Sequence, residues 1–296
     1  MSALPVVPIV ENQNLYILKV ACIQARGQVA AISGFLDQRG CYITEFVQFE
    51  DDFTGRFFVR TVFRSESDHT LSLERLRLEF ETLAVRFDMD WSLHDAATPA
   101  RVLILVSKFD HCLQDLLYRY RTGELPMEVA TVVSNHPDLE PLSQGYGIPF
   151  IHLPVSSTTR VEQESRLWQI IQETQSDLVV LARYMQILSD DLCTKLQGRA
   201  INIHHSFLPG FKGAKPYHQA FARGVKLIGA TAHYVTPDLD EGPIIEQVVE
   251  RVDHTYRPEQ LVAAGRDSEK LALARAVKFH IERRVFMNGN KTIILR

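Results

Sequence analysis

Cysteine is scarce. Cys22, Cys41, Cys112 and Cys193 are the only four in 296 residues, far apart and with no Cys-x-x-Cys pair. That spacing argues against a disulfide framework and against a cysteine-rich zinc site, and it suits a reducing cytoplasm. Long apolar runs are missing too. No window of about 20 residues is free of charge, which leaves no candidate transmembrane helix, and Met1–Leu15 lacks the basic-then-apolar order of a signal peptide. Charge of one sign is not in excess either. Thirty-six acidic residues against 32 basic ones leave a formal net charge of −4, too little to attract nucleic acid or an anionic membrane. What is present is 46% apolar residues, enough to bury a sizeable core in a chain whose length suits two domains.

The first part alternates short elements. Tyr16–Ile23 reads as a strand, and Val29, Ile32, Phe35 and Leu36 recur at helical spacing before Arg39-Gly40. Cys41–Phe49 and Phe57–Phe63 read as strands around the Asp51–Gly55 turn. Leu73, Leu76, Phe80 and Leu83 stripe a second helix over Leu71–Val85, and Met89–Leu93 closes the unit. The order is βαββαβ, a small ferredoxin-like sheet with two helices on one face. The polar, proline-containing stretch His94–Arg101 reads as a linker, so the domains are expected at residues 1–95 and 96–296.

The second part has a different rhythm. Val102–Val106 is apolar on both faces, as a buried parallel strand must be. Strand-like runs at Val129–Val133, Pro149–Leu153, Leu178–Leu181 and Ala200–Ile203 alternate with helical segments at Cys112–Tyr120 and Val161–Glu173. This alternation predicts a Rossmann-like, mostly parallel open sheet in an α/β domain. Leu227–Val235 and Ile244–Val252 read as antiparallel neighbours, followed by a long helix over Pro258–Arg284.

The polar residues concentrate in two places. Asn202, His204, His205 and Ser206 fall at the carboxyl end of a predicted parallel strand, the edge where open α/β sheets bind ligands. Asn202 and His204 share one face of that strand, and an amide beside an imidazole can hold an oxyanion. They can equally satisfy loop backbone. His205 should point to the opposite face. The second cluster, Thr231–Pro243, carries Asp238, Asp240 and Glu241 in a turn. Asp240 can pair with His204 or orient water, while Asp238 and Glu241 read as solvated. The histidines here lack metal-ligand spacing.

These segments carry a resemblance. Asn202-Ile203-His204, Leu208-Pro209 and Leu239–Pro243, with Asp240 lying 36 residues after His204, resemble the formyltransferase family of tetrahydrofolate enzymes. The resemblance implies Asn202, His204 and Asp240 as a catalytic triad. It places Met185, Gln186, Ile187 and Leu188, from Ala182–Ser189, on one side of a pterin, and Val235, Thr236 and Pro237 on the other. In transferases of the family a glycine-rich loop cradles the acceptor's phosphate. The matching Ser107–Leu113 has no glycine and adds Phe109 and Asp110, which oppose a phosphate. Water is therefore the expected acceptor, with Phe109, Asp110, His205 and His218 around its pocket. Phe211–Ala220 also resembles the deformylases of the family.

The βαββαβ unit resembles an ACT domain, a small-molecule sensor. Its Cys22–Gln28 loop lacks the usual carboxylate, which leaves an amino-acid effector and a purely structural dimerisation role both open. Lys212 and Lys215 are either attractors for a glutamate tail or plain exposed lysines. The whole resemblance implies hydrolysis of 10-formyltetrahydrofolate to formate and tetrahydrofolate, without a cofactor or metal. It further implies a part in one-carbon balance and formate supply for purine synthesis, in a cytoplasmic homo-oligomer, with a tetramer as the expected size. A transferase with another acceptor and a folate-sensing binding protein are the competing readings.

Overall fold

The computed structural model describes residues 15–66, 72–156, 158–208 and 216–296. The chain divides into two compact units, one up to Thr98 together with Leu295–Arg296, the other Pro99–Ile294.

In the first unit the elements run β1 (Leu15–Ile23), α1 (Gln28–Asp37), β2 (Cys41–Asp51), β3 (Arg56–Ser65), α2 (Leu73–Phe87) and β4 (Asp90–Asp95). The four strands form one antiparallel sheet in the order β2-β3-β1-β4. Alternate residues of β1 (Tyr16, Leu18, Val20, Cys22) bury against Ile32 and Leu36 of α1 and Leu76 and Phe80 of α2, as the period-2 and period-3.6 patterns require. The Ser72 hydroxyl caps α2 by accepting from the Arg75 amide at 3.4 Å. His94 and Asp95, read from sequence as linker, belong to β4, paired with Ile17 and Tyr16 of β1. Cross-strand pairing overrides their weak strand propensity.

The second unit holds β5 (Ala100–Val106), α3 (His111–Arg121), β6 (Met127–Ser134), α4 (Glu140–Gly145), β7 (Phe150–His152), α5 (Arg160–Glu173), β8 (Leu178–Leu181), α6 (Asp190–Lys195), β9 (Ala200–His204), α7 (Pro216–Ala222), β10 (Leu227–Tyr234), β11 (Ile244–Arg251), α8 (Pro258–Ile281), β12 (Val285–Asn288) and β13 (Lys291–Ile294). Seven strands form a sheet in the order β11-β10-β9-β8-β5-β6-β7. The five from β9 to β7 are parallel, and β10 runs antiparallel to both of its neighbours, β9 and β11. β5 sits centrally with Val102–Val106 fully buried. Val102, Ile104 and Val106 pack with α3 and α8 on one face, Leu103 and Leu105 with α5 on the other. Each such side chain contributes roughly 1.5–3 kcal/mol by leaving water.

Chain order reverses between β5 and β8. The following strands go to one side and the later ones to the other, which opens a crevice at the carboxyl ends. Three short helices (α4, α6, α7) and the β12–β13 hairpin were not anticipated. The predicted helix to Arg284 stops at Ile281, where Arg283 turns to φ +58 and the hairpin begins.

Candidate active site

A cavity of about 260 Å³ opens at the carboxyl ends of β8 and β9, lined by the chain after each strand and by the end of β10 with its following turn. β9 delivers Asn202 and His204 into it. The β9–β10 register sets His233 opposite Asn202 and Thr231 opposite His204.

His204 Nδ1 lies 3.1 Å from Asp240 Oδ1. The ring is buried, and its Nε2 has no hydrogen-bond partner among the described residues. Asp240 therefore fixes the ring through one nitrogen and leaves the other to face the cavity. The hydrogen bond from His204 holds the Asp240 carboxyl below its usual range despite partial burial, so it is an anion at neutral pH. Asp240 sits at φ +59, a left-handed conformation that costs a non-glycine residue of order 1–2 kcal/mol.

His233 is the functional residue that sequence reasoning left aside. Its Nδ1 lies 2.9 Å from the Tyr234 carbonyl, which can only accept, so Nδ1 carries the proton. Nε2 then accepts from Asn202 Nδ2 at 3.3 Å. Burial pushes the His233 pKa down, keeping the ring neutral in this role. The Asn202 amide is thus oriented, with its second N–H left for a ligand. A histidine at the next-to-last position of a buried strand was the available signal.

His205 corrects a sequence expectation. β9 ends at His204, strand alternation stops there, and His205 does not point away. Its ring stacks on His204 at a centroid distance of 5.1 Å and lines the same cavity. Burial, with Arg183 and His204 nearby, pushes its pKa down to about 4. The segment beyond is pinned by Thr231, whose hydroxyl donates to the Ser206 carbonyl (3.0 Å) and accepts from the Leu208 amide (3.1 Å).

Met185, Gln186, Ile187 and Leu188 line one side of the cavity, and Val235, Thr236 and Pro237 another. The 184–189 wall is clamped from β5 and α5. The Ser107 hydroxyl accepts from the Met185 amide (3.0 Å), Gln163 donates to the Tyr184 hydroxyl (3.0 Å), Glu164 accepts from the Ser189 amide (2.8 Å), and Arg160 donates to the Ile187 carbonyl (2.6 Å). Met185, Ile187 and Leu239 remain exposed at 52%, 60% and 57%, an apolar rim suited to a flat aromatic ligand.

Phe109, Asp110 and His218 do not line the cavity directly. Phe109 underlies Arg183, which does. Asp110 is exposed and accepts from Gln114 Nε2 at 2.6 Å. His218 is exposed on α7. Asp238 and Glu241 are exposed. Pro209–Lys215, including Lys212 and Lys215, lies outside the described residues.

Among the described residues, one cluster offers metal-ligand atoms: His111, Cys112 and Glu269, within 4.8 Å of one another. Arg183 Nε lies 3.4 Å from the Glu269 carboxylate and already balances its charge, and burial pushes the Cys112 thiol far up. The donor set suits an ion pair better than a divalent cation.

A formyl transferase family model matches residues 100–277. A formyltetrahydrofolate deformylase from Corynebacterium is 54% identical over 285 residues, covering 96% of this chain and 99% of its own. The chain belongs to the formyltetrahydrofolate deformylase family. The crystal structure of a Burkholderia mallei deformylase superposes with a TM-score of 0.91 at 57% identity, over 96% of this chain and all of that one. A glycinamide ribonucleotide transformylase from Symbiobacterium toebii is 32% identical with a TM-score of 0.63, covering 67% of this chain and 95% of its own. A third of this deformylase-family chain has no counterpart there.

Two outcomes follow from the geometry. A Cβ on Gly242 would sit 1.7 Å from the Tyr234 carbonyl oxygen and 3.2 Å from His233 Nδ1. Gly242→Ala is expected to lower the urea-unfolding free energy by about 1–3 kcal/mol. Between pH 6.5 and about 4 the unfolded chain protonates His205 while the folded chain does not. Stability is therefore full above pH 6.5 and falls toward pH 4, by an amount on the order of 3 kcal/mol from this residue. Thermal midpoints measured across that range should fall with acid in the wild type and fall less in His205→Gln.

Proposed function

We infer that this protein hydrolyses 10-formyltetrahydrofolate to formate and tetrahydrofolate. The observation that carries the reading is the His204–Asp240 pair, with His204 Nε2 unpartnered beside an oriented Asn202 amide. The pterin would lie between Met185–Leu188 and Val235–Pro237, which puts the formyl group at Asn202 and His204.

Water attacks the formyl carbon, and the carbonyl oxygen becomes anionic. Asn202 Nδ2–H and a protonated His204 Nε2 stabilise that oxygen. Asp240 holds His204 through Oδ1 and orients the attacking water or takes its proton through the other oxygen. The leaving nitrogen gains a proton, the C–N bond breaks, and formate is released. No nucleophilic serine or cysteine is required. The Ser107–Leu113 segment has no glycine with which to cradle the phosphate of a phosphorylated acceptor, which favours water.

The βαββαβ unit is read as an ACT domain that assembles the chain into a homo-oligomer. Gln28 fills its β1–α1 loop. Its amide donates to Cys22 Sγ (3.1 Å) and the Ile23 carbonyl (2.7 Å), while its oxygen accepts from the Ala25 amide (2.9 Å). With these polar groups satisfied internally, an assembly role is favoured over capture of an amino-acid effector. The four free thiols suit a cytoplasmic enzyme, and formate supply for purine synthesis is the corresponding metabolic role.

Asn202→Ala and Asp240→Asn should each lower kcat for formate release by about 10²–10³ while the protein stays folded. Wild-type turnover in a folded Asp240→Asn enzyme would exclude the assigned role. Light scattering of the full chain should give an oligomer mass, and a monomer would remove the assembly role.

A further inference from the structure

Arg183 lies two residues after the end of β8, at φ +65, with its side chain nine-tenths buried. It lines the cavity beside His204 and His205, and its guanidinium lies 5.1 Å from the centre of the Phe109 ring. No hydrogen bond to this guanidinium is made among the described residues, and its buried Nε is unsatisfied. A buried charged donor without an acceptor is rare in a folded protein and calls for a ligand.

The reason lies in its partner. Glu269, on α8, is almost fully buried. Its carboxylate already accepts from His111 Nε2 (2.8 Å) and from the Tyr217 hydroxyl (3.0 Å). Arg183 Nε stands off at 3.4 Å, near enough to be neutralised and too loosely placed to spend its donors. Glu269 is therefore held by two groups from α3 and α7, while Arg183 is held in place by charge and by an aromatic face. Its fork remains available to the cavity.

We propose that Arg183 forms a small-carboxylate subsite, with His205 beside it, that receives the formate ion as it is produced. This rests on the hydrolytic reading above. A guanidinium fork matches a planar carboxylate with two parallel hydrogen bonds. Formate is generated at Asn202 and His204, in the same cavity, from an uncharged formyl group. The negative charge thus appears only in the product, where Arg183 can recognise it. Glu269 has an equally specific effect. By cancelling most of the Arg183 charge it keeps the subsite weak, so that the product leaves. An anion of three heavy atoms binds no tighter than about the millimolar range in any case.

The test is titration of the full-length protein with carbon-13 formate, followed by line broadening, without substrate. Wild type should bind in the millimolar range. Arg183→Gln should weaken binding at least tenfold, and Arg183→Lys should fall between the two. All three side chains face the same left-handed backbone cost, so differences report the head group. Glu269→Gln should tighten formate binding several-fold, which a merely structural ion pair does not predict. Unchanged formate binding in folded Arg183→Gln, or no binding by wild type, overturns the subsite. Formate release from 10-formyltetrahydrofolate by wild type is scored separately. Its absence would overturn the hydrolytic reading instead.

Discussion

The hydrogen bond between His204 and Asp240 is the contact on which the rest of the site depends. It joins the end of a parallel strand to a turn beyond an antiparallel one, and neither residue is oriented without the other. Asp240 is held at a left-handed backbone angle that its own preferences oppose. Two residues on, the Gly242 backbone lies directly on the Tyr234 carbonyl, where a side chain would not fit. The same peptide carbonyl fixes the tautomer of His233, which then orients Asn202. One backbone carbonyl thereby sets two side chains, His233 and Asn202.

Burial and charge divide the cavity into two regions. Around Asp240 a carboxylate faces His204 and is kept ionised by it. Around Arg183 a second carboxylate, Glu269, accepts from His111 and Tyr217, and its own pKa is lowered by His111 and Arg183 against a larger opposing effect of burial. His205 lies between these regions, neutral at physiological pH, stacked on the His204 ring. A neutral ring there avoids a second positive charge beside His204.

Much of this was legible in the chain. The apolar run Val102–Val106 announced a strand buried on both faces, and alternating elements announced the parallel sheet. The two clusters around Asn202 and Asp240 stood out because polar side chains gathered where apolar patterns ended. The pairing of His94 and Asp95 with β1 was not legible, because edge residues of a sheet need no apolar signature. The inward turn of His205 was hidden for a related reason. Alternation predicts side-chain direction only while a strand continues, and β9 ends one residue earlier.

By itself the sequence determined the βαββαβ unit and the open sheet after it, through periodicity and local spacing; it offered folate-binding residues only through its resemblance to a known family. The tertiary structure alone decided which distant groups meet. Glu269 reaches Arg183, His111 and Tyr217 from a helix far along the chain, and Gln163 and Glu164 brace the wall at Tyr184–Ser189. Such contacts depend on strand order and helix packing, which bring together residues with no shared local pattern.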